Sequence, residues 1–152
     1  MVETLDEALN ILGQQFVDSL RYELNAKRIN ASGDLSRSVS YEVVDINGNP
    51  AIWINYDDYG DAVDKGRSPS KRGGPKQSWR NRIEGWMRFK GISPRQGMTM
   101  EQTAFLITRK INKKGYKPKP WVQPAIDRVL NQDFTELFGE AIANEIITIL
   151  NK

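Results

Sequence analysis

The sequence predicts an α+β fold: a small antiparallel sheet built on a central hairpin, packed against long N- and C-terminal helices, with a basic helical and loop insertion. Three observations carry this. Asn47-Gly48 stands between two apolar runs, Val39-Ser40-Tyr41-Glu42-Val43 and Ala51-Ile52-Trp53-Ile54-Asn55-Tyr56. Asn-Gly favours the positive φ of a tight hairpin turn, and both runs are rich in β-branched and aromatic residues. Leu5, Leu9, Leu12, Phe16, Leu20 and Leu24 recur every three or four residues, and a second helical periodicity runs from Ile126 to Leu150. An isolated hairpin is marginal in water, so the helices are its natural cover. At 152 residues the chain reads as a single domain, 1–152, able to bury a real core.

Thr4-Leu5-Asp6-Glu7 has the form of a capping box, starting a helix expected to end near Ile29 or Asn30. Gly13 weakens that helix by about 1 kcal/mol relative to alanine. Ala31 to Ser38 reads as a connection anchored by Leu35, with Asp34 capping a short turn. Asn47-Gly48-Asn49-Pro50 is longer than the simplest two-residue loop, and Pro50, lacking an N–H, belongs at the start of the second strand. Asp57 to Arg67 reads as an acidic loop, and Ser68 to Gln77 as a loop rich in Ser, Pro, Gly and Lys.

Ser78 to Gly91 has Trp79, Ile83, Trp86 and Met87 on one helical face. Thr99 to Gln102 forms a second capping box, opening a helix that reaches Lys114-Gly115. Pro118 and Pro120 force an extended or turned segment, which Trp121 and Val122 dock. Pro124 suits the first turn of the last helix, and Gly139 marks a possible bend. Val43, Trp53, Leu12, Phe16, Leu130 and Phe134 are expected in the buried set.

No run of about 18 apolar residues exists, so no membrane partner is expected, and the start Met1-Val2-Glu3, with no basic region before an apolar one, leads to the expectation of no secretory signal. The absence of cysteine excludes disulfides and thiolate metal sites, and the absence of histidine removes the commonest base. Asp57, Asp58, Asp61 and Asp64 could in principle serve a hard cation or a metal-dependent nuclease. Their spacing fits no calcium loop, so no metal, no cofactor and no catalytic residue is expected.

The net charge of +3 hides a segregation. Lys65 to Lys119 holds 16 Lys or Arg against Glu84 and Glu101, or +14, and the remainder carries −11. Such a split points to a polyanion or to an acidic neighbouring subunit. Lys71, Arg72, Lys76, Arg80, Lys113, Lys114 and Lys117 are the candidate contact residues, while cations ending the Thr99–Gly115 helix also suit its dipole. Basic residues mixed with Trp79, Trp86, Tyr116 and Trp121 leave a stand-alone nucleic-acid module as the alternative, although tryptophans on the apolar stripe belong in the core.

Taken in order, the motifs resemble the tail-completion, or head–tail joining, family of long-tailed bacteriophages. Ser32-Gly33-Asp34-Leu35-Ser36-Arg37-Ser38 is similar to the family's Thr-Gly-x-Leu-x-x-Ser stretch. Tyr59-Gly60-Asp61-Ala62-Val63-Asp64-Lys65-Gly66-Arg67 resembles Tyr-Ala-x-x-Val-Glu-x-Gly-Thr, and Pro120-Trp121-Val122-Gln123-Pro124-Ala125 resembles Pro-Phe-Leu-x-Pro-Ala. Gly60, Asp64, Arg67 and Trp121 depart from that pattern.

The resemblance implies a non-enzymatic virion protein. It would form a hexameric or dodecameric ring at the neck or upper tail, assembled in the host cytoplasm. Its partners would be portal-side neck proteins, the tail tube or terminator, and DNA crossing the lumen by non-specific contact. By position, Gly33, Leu35, Tyr59, Val63, Gly66, Pro120, Trp121 and Pro124 would shape the fold.

Overall fold

The computed structural model describes residues 4–29, 32–70, 77–131 and 134–151. In chain order the elements are α1 (Leu5–Ala26), α2 (Asp34–Ser38), β1 (Ser40–Ile46), β2 (Asn49–Asn55), α3 (Tyr59–Lys65), α4 (Gln77–Lys90), α5 (Met100–Lys114), α6 (Val122–Asn131) and α7 (Phe134–Leu150). The fold is α+β, with a two-stranded antiparallel sheet flanked by long N- and C-terminal helices. The chain divides into two compact units. Unit 1 comprises Met1–Lys27, Leu35–Asp57 and Trp121–Lys152; unit 2 comprises Arg28–Asp34 and Asp58–Pro120.

Unit 1 is built on α1. Thr4 is its N-cap: the side chain accepts a hydrogen bond from the Glu7 N–H at 3.1 Å. The helix stops at Ala26, a little before the expected end, and Arg28 there takes a positive φ of 52° that no helix continues through. Leu9, Leu12, Val17, Leu20 and Leu24 are buried along it, while Phe16 is half-buried.

β1 and β2 pair from Ser40 with Asn55 to Ile46 with Asn49. The loop is therefore the tight two-residue one, Asn47-Gly48, with φ of 56° and 83°, a turn whose twist matches the strands. Asn49 and Pro50 belong to β2 rather than to a longer loop, and the Asp45 carboxylate accepts from the Gly48 N–H at 2.7 Å.

This register decides the faces, because side chains alternate along a strand. Tyr41 lies opposite Ile54 and Val43 opposite Ile52, and this half-buried face is turned inward. Trp53 lies opposite Glu42 on the other face and is 55% exposed, so it leaves the expected core. Leu130 leaves it as well, at 46% exposed. Ala125 and Val129 are the buried positions of α6, and Leu130 sits one step round the helix from them. Leu12 is buried as expected; Val43 and Phe134 are half-buried.

The last periodic stretch forms two helices. α6 packs on α1, where the Ser19 hydroxyl donates to the Ala125 carbonyl at 3.0 Å. α7 packs on α1 and α6, with Ala8 and Ala141 fully buried beside Ile11 and Leu137. A buried carboxylate adds a polar tie: Glu23 pairs with Lys27 at 3.3 Å and with Arg128 of α6 at 2.5 Å, and Arg128 stacks 3.9 Å from the Tyr22 ring centroid. Arg21 donates to the carbonyls of Ser36 and Val39, each at 3.0 Å, and holds the turn into β1.

Gly13 has a role that helix propensity does not reveal. A Cβ built there would meet the Tyr41 ring at 2.3 Å, at the point where β1 lies against α1. Alanine improves an exposed helix by about 1 kcal/mol. Here Gly13→Ala is expected to destabilise by about 1–3 kcal/mol, because the ring must leave its place. Urea titration checks the sign, and Tyr41→Ala in the same chain should restore part of the loss.

Unit 2 centres on the α4–α5 pair. Met87, Ala104 and Thr108 are fully buried, and Thr108 donates to the Ala104 carbonyl at 2.7 Å. Thr99 and Gln102 form the reciprocal capping box at the start of α5. The expected acidic loop after the hairpin is mostly helix α3, in which Asp61 pairs with Lys65 across one turn at 3.5 Å. Of the predicted α4 stripe only Met87 is fully covered; Trp86 is 39% exposed and Trp79 half-buried.

Candidate charged interface

The charge split found in the sequence follows the compact units. Unit 2 holds 17 basic and six acidic residues, a net +11, and unit 1 holds five basic and 13 acidic, a net −8. An opposite net charge on each unit is a property of the fold, since each unit gathers separate stretches of chain.

Within unit 2 a short extended crossing fixes where the cations stand. Arg67 and Tyr116 form an isolated antiparallel bridge, with N–H to carbonyl distances of 3.1 and 2.9 Å. The Lys119 N–H donates to the Val63 carbonyl at 2.9 Å, and the Ser70 N–H donates to the Asn112 carbonyl at 2.7 Å. The last contact ties Ser70 beside the C-terminus of α5, where Lys113 and Lys114 are exposed. Lys117 follows on the same strap, also exposed. Lys71, Arg72 and Lys76, which come next after Ser70 in the chain, lie outside the described residues.

Two glycines make the crossing possible. Gly66 has φ 71° and ψ −171°, and Gly115 has φ 69° and ψ −167°. This region is essentially open to glycine alone. A Cβ at Gly66 would stand 2.6 Å from the Pro118 nitrogen, and one at Gly115 would stand 2.0 Å from the Arg67 carbonyl oxygen.

Arg80 is a different kind of residue from the exposed lysines. It is half-buried on α4, its guanidinium lies 5.6 Å from the Phe105 ring centroid, and its Nε is buried without a hydrogen-bond partner among the described residues. Arg67 stacks on Trp79 at 4.6 Å. Burial pushes the Tyr116 hydroxyl above its ordinary pKa of 10.0, and the Arg67 charge pulls it back part of the way. A raised pKa means that the neutral hydroxyl is the stabilised form. Its contribution is intact below about pH 10 and is lost as the pH rises through the folded value. Thermal melts across the alkaline range should show this loss, and Tyr116→Phe should flatten it.

The motif residues have identifiable places. Gly33 has a positive φ of 82°, and Leu35 is buried. Tyr59 and Val63 are half-buried on α3. Trp121 is fully buried, with Tyr56 edge-on at 5.0 Å. Pro120 is exposed, and Pro124 is the third residue of α6. Gly13 and Gly115 are legible in the sequence only as a helix-weakening residue and a helix end; their close approaches to Tyr41 and Arg67 are tertiary contacts that no local pattern records.

Asp57, Asp58 and Asp61 are exposed and Asp64 is half-buried. Among the described residues no three acidic side chains gather as they would to hold a metal ion. No described helix is long and apolar enough to cross a membrane. Comparison with protein-family models, with curated proteins and with solved structures gives no significant match to this chain.

Proposed function

We propose that this chain is a structural, non-enzymatic subunit of a virion neck or upper-tail ring, joining a DNA-filled head to a tail. The observation that carries the reading is the division of charge between the two compact units, −8 against +11. A head-to-tail ring needs two different complementary faces on each copy, and one acidic and one basic unit supply them. The motif order from Gly33 to Pro124 supports the same reading, because Gly66, Leu35 and Trp121 each occupy a place that constrains the backbone or fills the core. Portal-side and tail proteins are the proposed neighbours, and DNA in the lumen is met without base reading. Native mass spectrometry with negative-stain imaging tests it: closed rings are expected, alone or on addition of a neighbouring ring.

Exposed Trp86 and Phe89 within the basic unit favour a second reading, a free nucleic-acid-binding module, since exposed aromatics beside arginines can stack bases. Salt dependence separates the two. A ring lumen must let DNA move, so binding by the isolated chain should be weak, indifferent to sequence and steeply salt-dependent. The log–log slope should be roughly 0.9 per phosphate contact. Replacing Lys71, Arg72 and Lys76 by alanine is expected to lower that slope, with a stability change within about 0.5 kcal/mol per site. Fluorescence anisotropy with two unrelated duplexes measures it. Nanomolar, sequence-selective binding that survives high salt favours the free module.

A further inference from the structure

We propose that α7 of one copy docks into the α4–α5 cleft of a second copy, an inference that rests on the ring reading and names one of its contacts. α7 carries two apolar faces. Ala141 and Leu137 are spent within unit 1, beside Ala8 and Ile11. Ile142, Ile146, Ile149 and Leu150 recur at helical spacing on another face and are exposed, from 50% at Ile142 to 77% at Leu150. An exposed apolar stripe of this size marks an interaction surface. Glu145 borders it, three residues from Ile142 and four from Ile149, and Glu136 and Glu140 lie further round the same helix; α7 has no basic residue, and none of the three carboxylates has an ion-pair partner among the described residues. The occupant of this face is therefore an apolar surface with cations around it.

Unit 2 offers that surface. A cleft of about 570 Å³ is lined by Arg80, Met98, Glu101, Gln102, Phe105 and Leu106. Met98, Phe105 and Leu106 give it an apolar floor. The buried Nε of Arg80 lacks an acceptor among the described residues, and a buried donor left unsatisfied is costly. The Arg80 side chain as a whole is only half-buried, and its guanidinium charge at the cleft wall can meet a carboxylate beside the α7 stripe in a charge-assisted hydrogen bond. Glu101 is the one acid in the cleft, so the incoming carboxylate approaches from the Arg80 side. The wider charges agree, three unpaired glutamates meeting a unit of net +11. Face and cleft differ, so the contact is heterologous and repeats from copy to copy, as ring closure requires.

The chain has no cysteine, so single-cysteine variants report without background. Ile146→Cys and Phe105→Cys chains are mixed with a short bis-maleimide cross-linker. A covalent dimer, twice 17.3 kDa, is expected in the mixture well above either variant alone. Ile142→Asp with Ile146→Asp, both exposed, is expected to weaken association at least ~tenfold while the circular dichroism spectrum stays that of the parent. If the chains associate but give no mixed cross-link and tolerate the aspartates, this contact is overturned and the ring reading stands. If no association occurs with or without a neighbouring ring, both are overturned.

Discussion

Gly115→Ala is expected to lower stability by at least about 3 kcal/mol, and with it the occupancy of the folded basic unit. Two costs coincide at this position. The backbone holds φ 69° and ψ −167°, where an L side chain is strained, and the added Cβ would meet the Arg67 carbonyl oxygen at 2.0 Å. That oxygen accepts from the Tyr116 N–H in the isolated antiparallel bridge between Arg67 and Tyr116. It cannot retreat without breaking the bridge. Asparagine, which tolerates left-handed helical angles, is no remedy here because ψ lies far outside that region. Guanidinium titration should show a large fall in midpoint for Gly115→Ala and Gly115→Asn alike. A variant that melts like the parent would mean that the crossing is not held as described.

Trp121→Ala is expected to cost about 3–5 kcal/mol, the range for truncating a fully buried tryptophan. Trp121 has no exposed surface, stands edge-on to Tyr56 at 5.0 Å, and immediately precedes α6. Its removal takes away both a large apolar volume and the anchor that ends the proline-rich strap. Trp121→Phe keeps the aromatic contact with Tyr56 and should recover much of the loss. Trp53→Ala is the internal control. Trp53 is 55% exposed on the outer face of the hairpin and should change stability by no more than about 1 kcal/mol. Thermal denaturation of the three variants orders them, and equal effects at Trp121 and Trp53 would contradict the strand faces assigned by the register.

Local physics made much of this fold readable in the residues. Caps act within one turn of helix, so Thr4 and the Thr99–Gln102 box marked helix starts from sequence alone. Hydrophobic period found α1, α5 and the final helical stretch. The loop length of the hairpin did not follow from period, because Asn49-Pro50 carries turn-like residues that the ladder nevertheless accepts; Pro50 lies opposite Asp45 within the strand. Trp53 and Leu130 show the same limit in packing, since apolarity says that a side chain gains from burial and not which face finds a partner. For the candidate interface, the sequence displayed the basic segment but not its boundary. Asp58, Asp61 and Asp64 fall inside unit 2 and the separated acidic stretches assemble into unit 1, which only tertiary contacts determine.

The pairing of Ser19 with Ala125 joins residues 106 apart in the chain, and it governs the order in which this protein can acquire its structure. Unit 1 interleaves α1, the hairpin and α6–α7 around the whole of residues 58–120, whereas most of unit 2 is a single local run. Contacts of long sequence separation form slowly because loop closure precedes their reward. On the ribosome the α4–α5 pair is complete while α1 and the hairpin still await α6. Refolding should accordingly show early protection of α5 amides against hydrogen exchange, with α1 protected only in a later, slower phase.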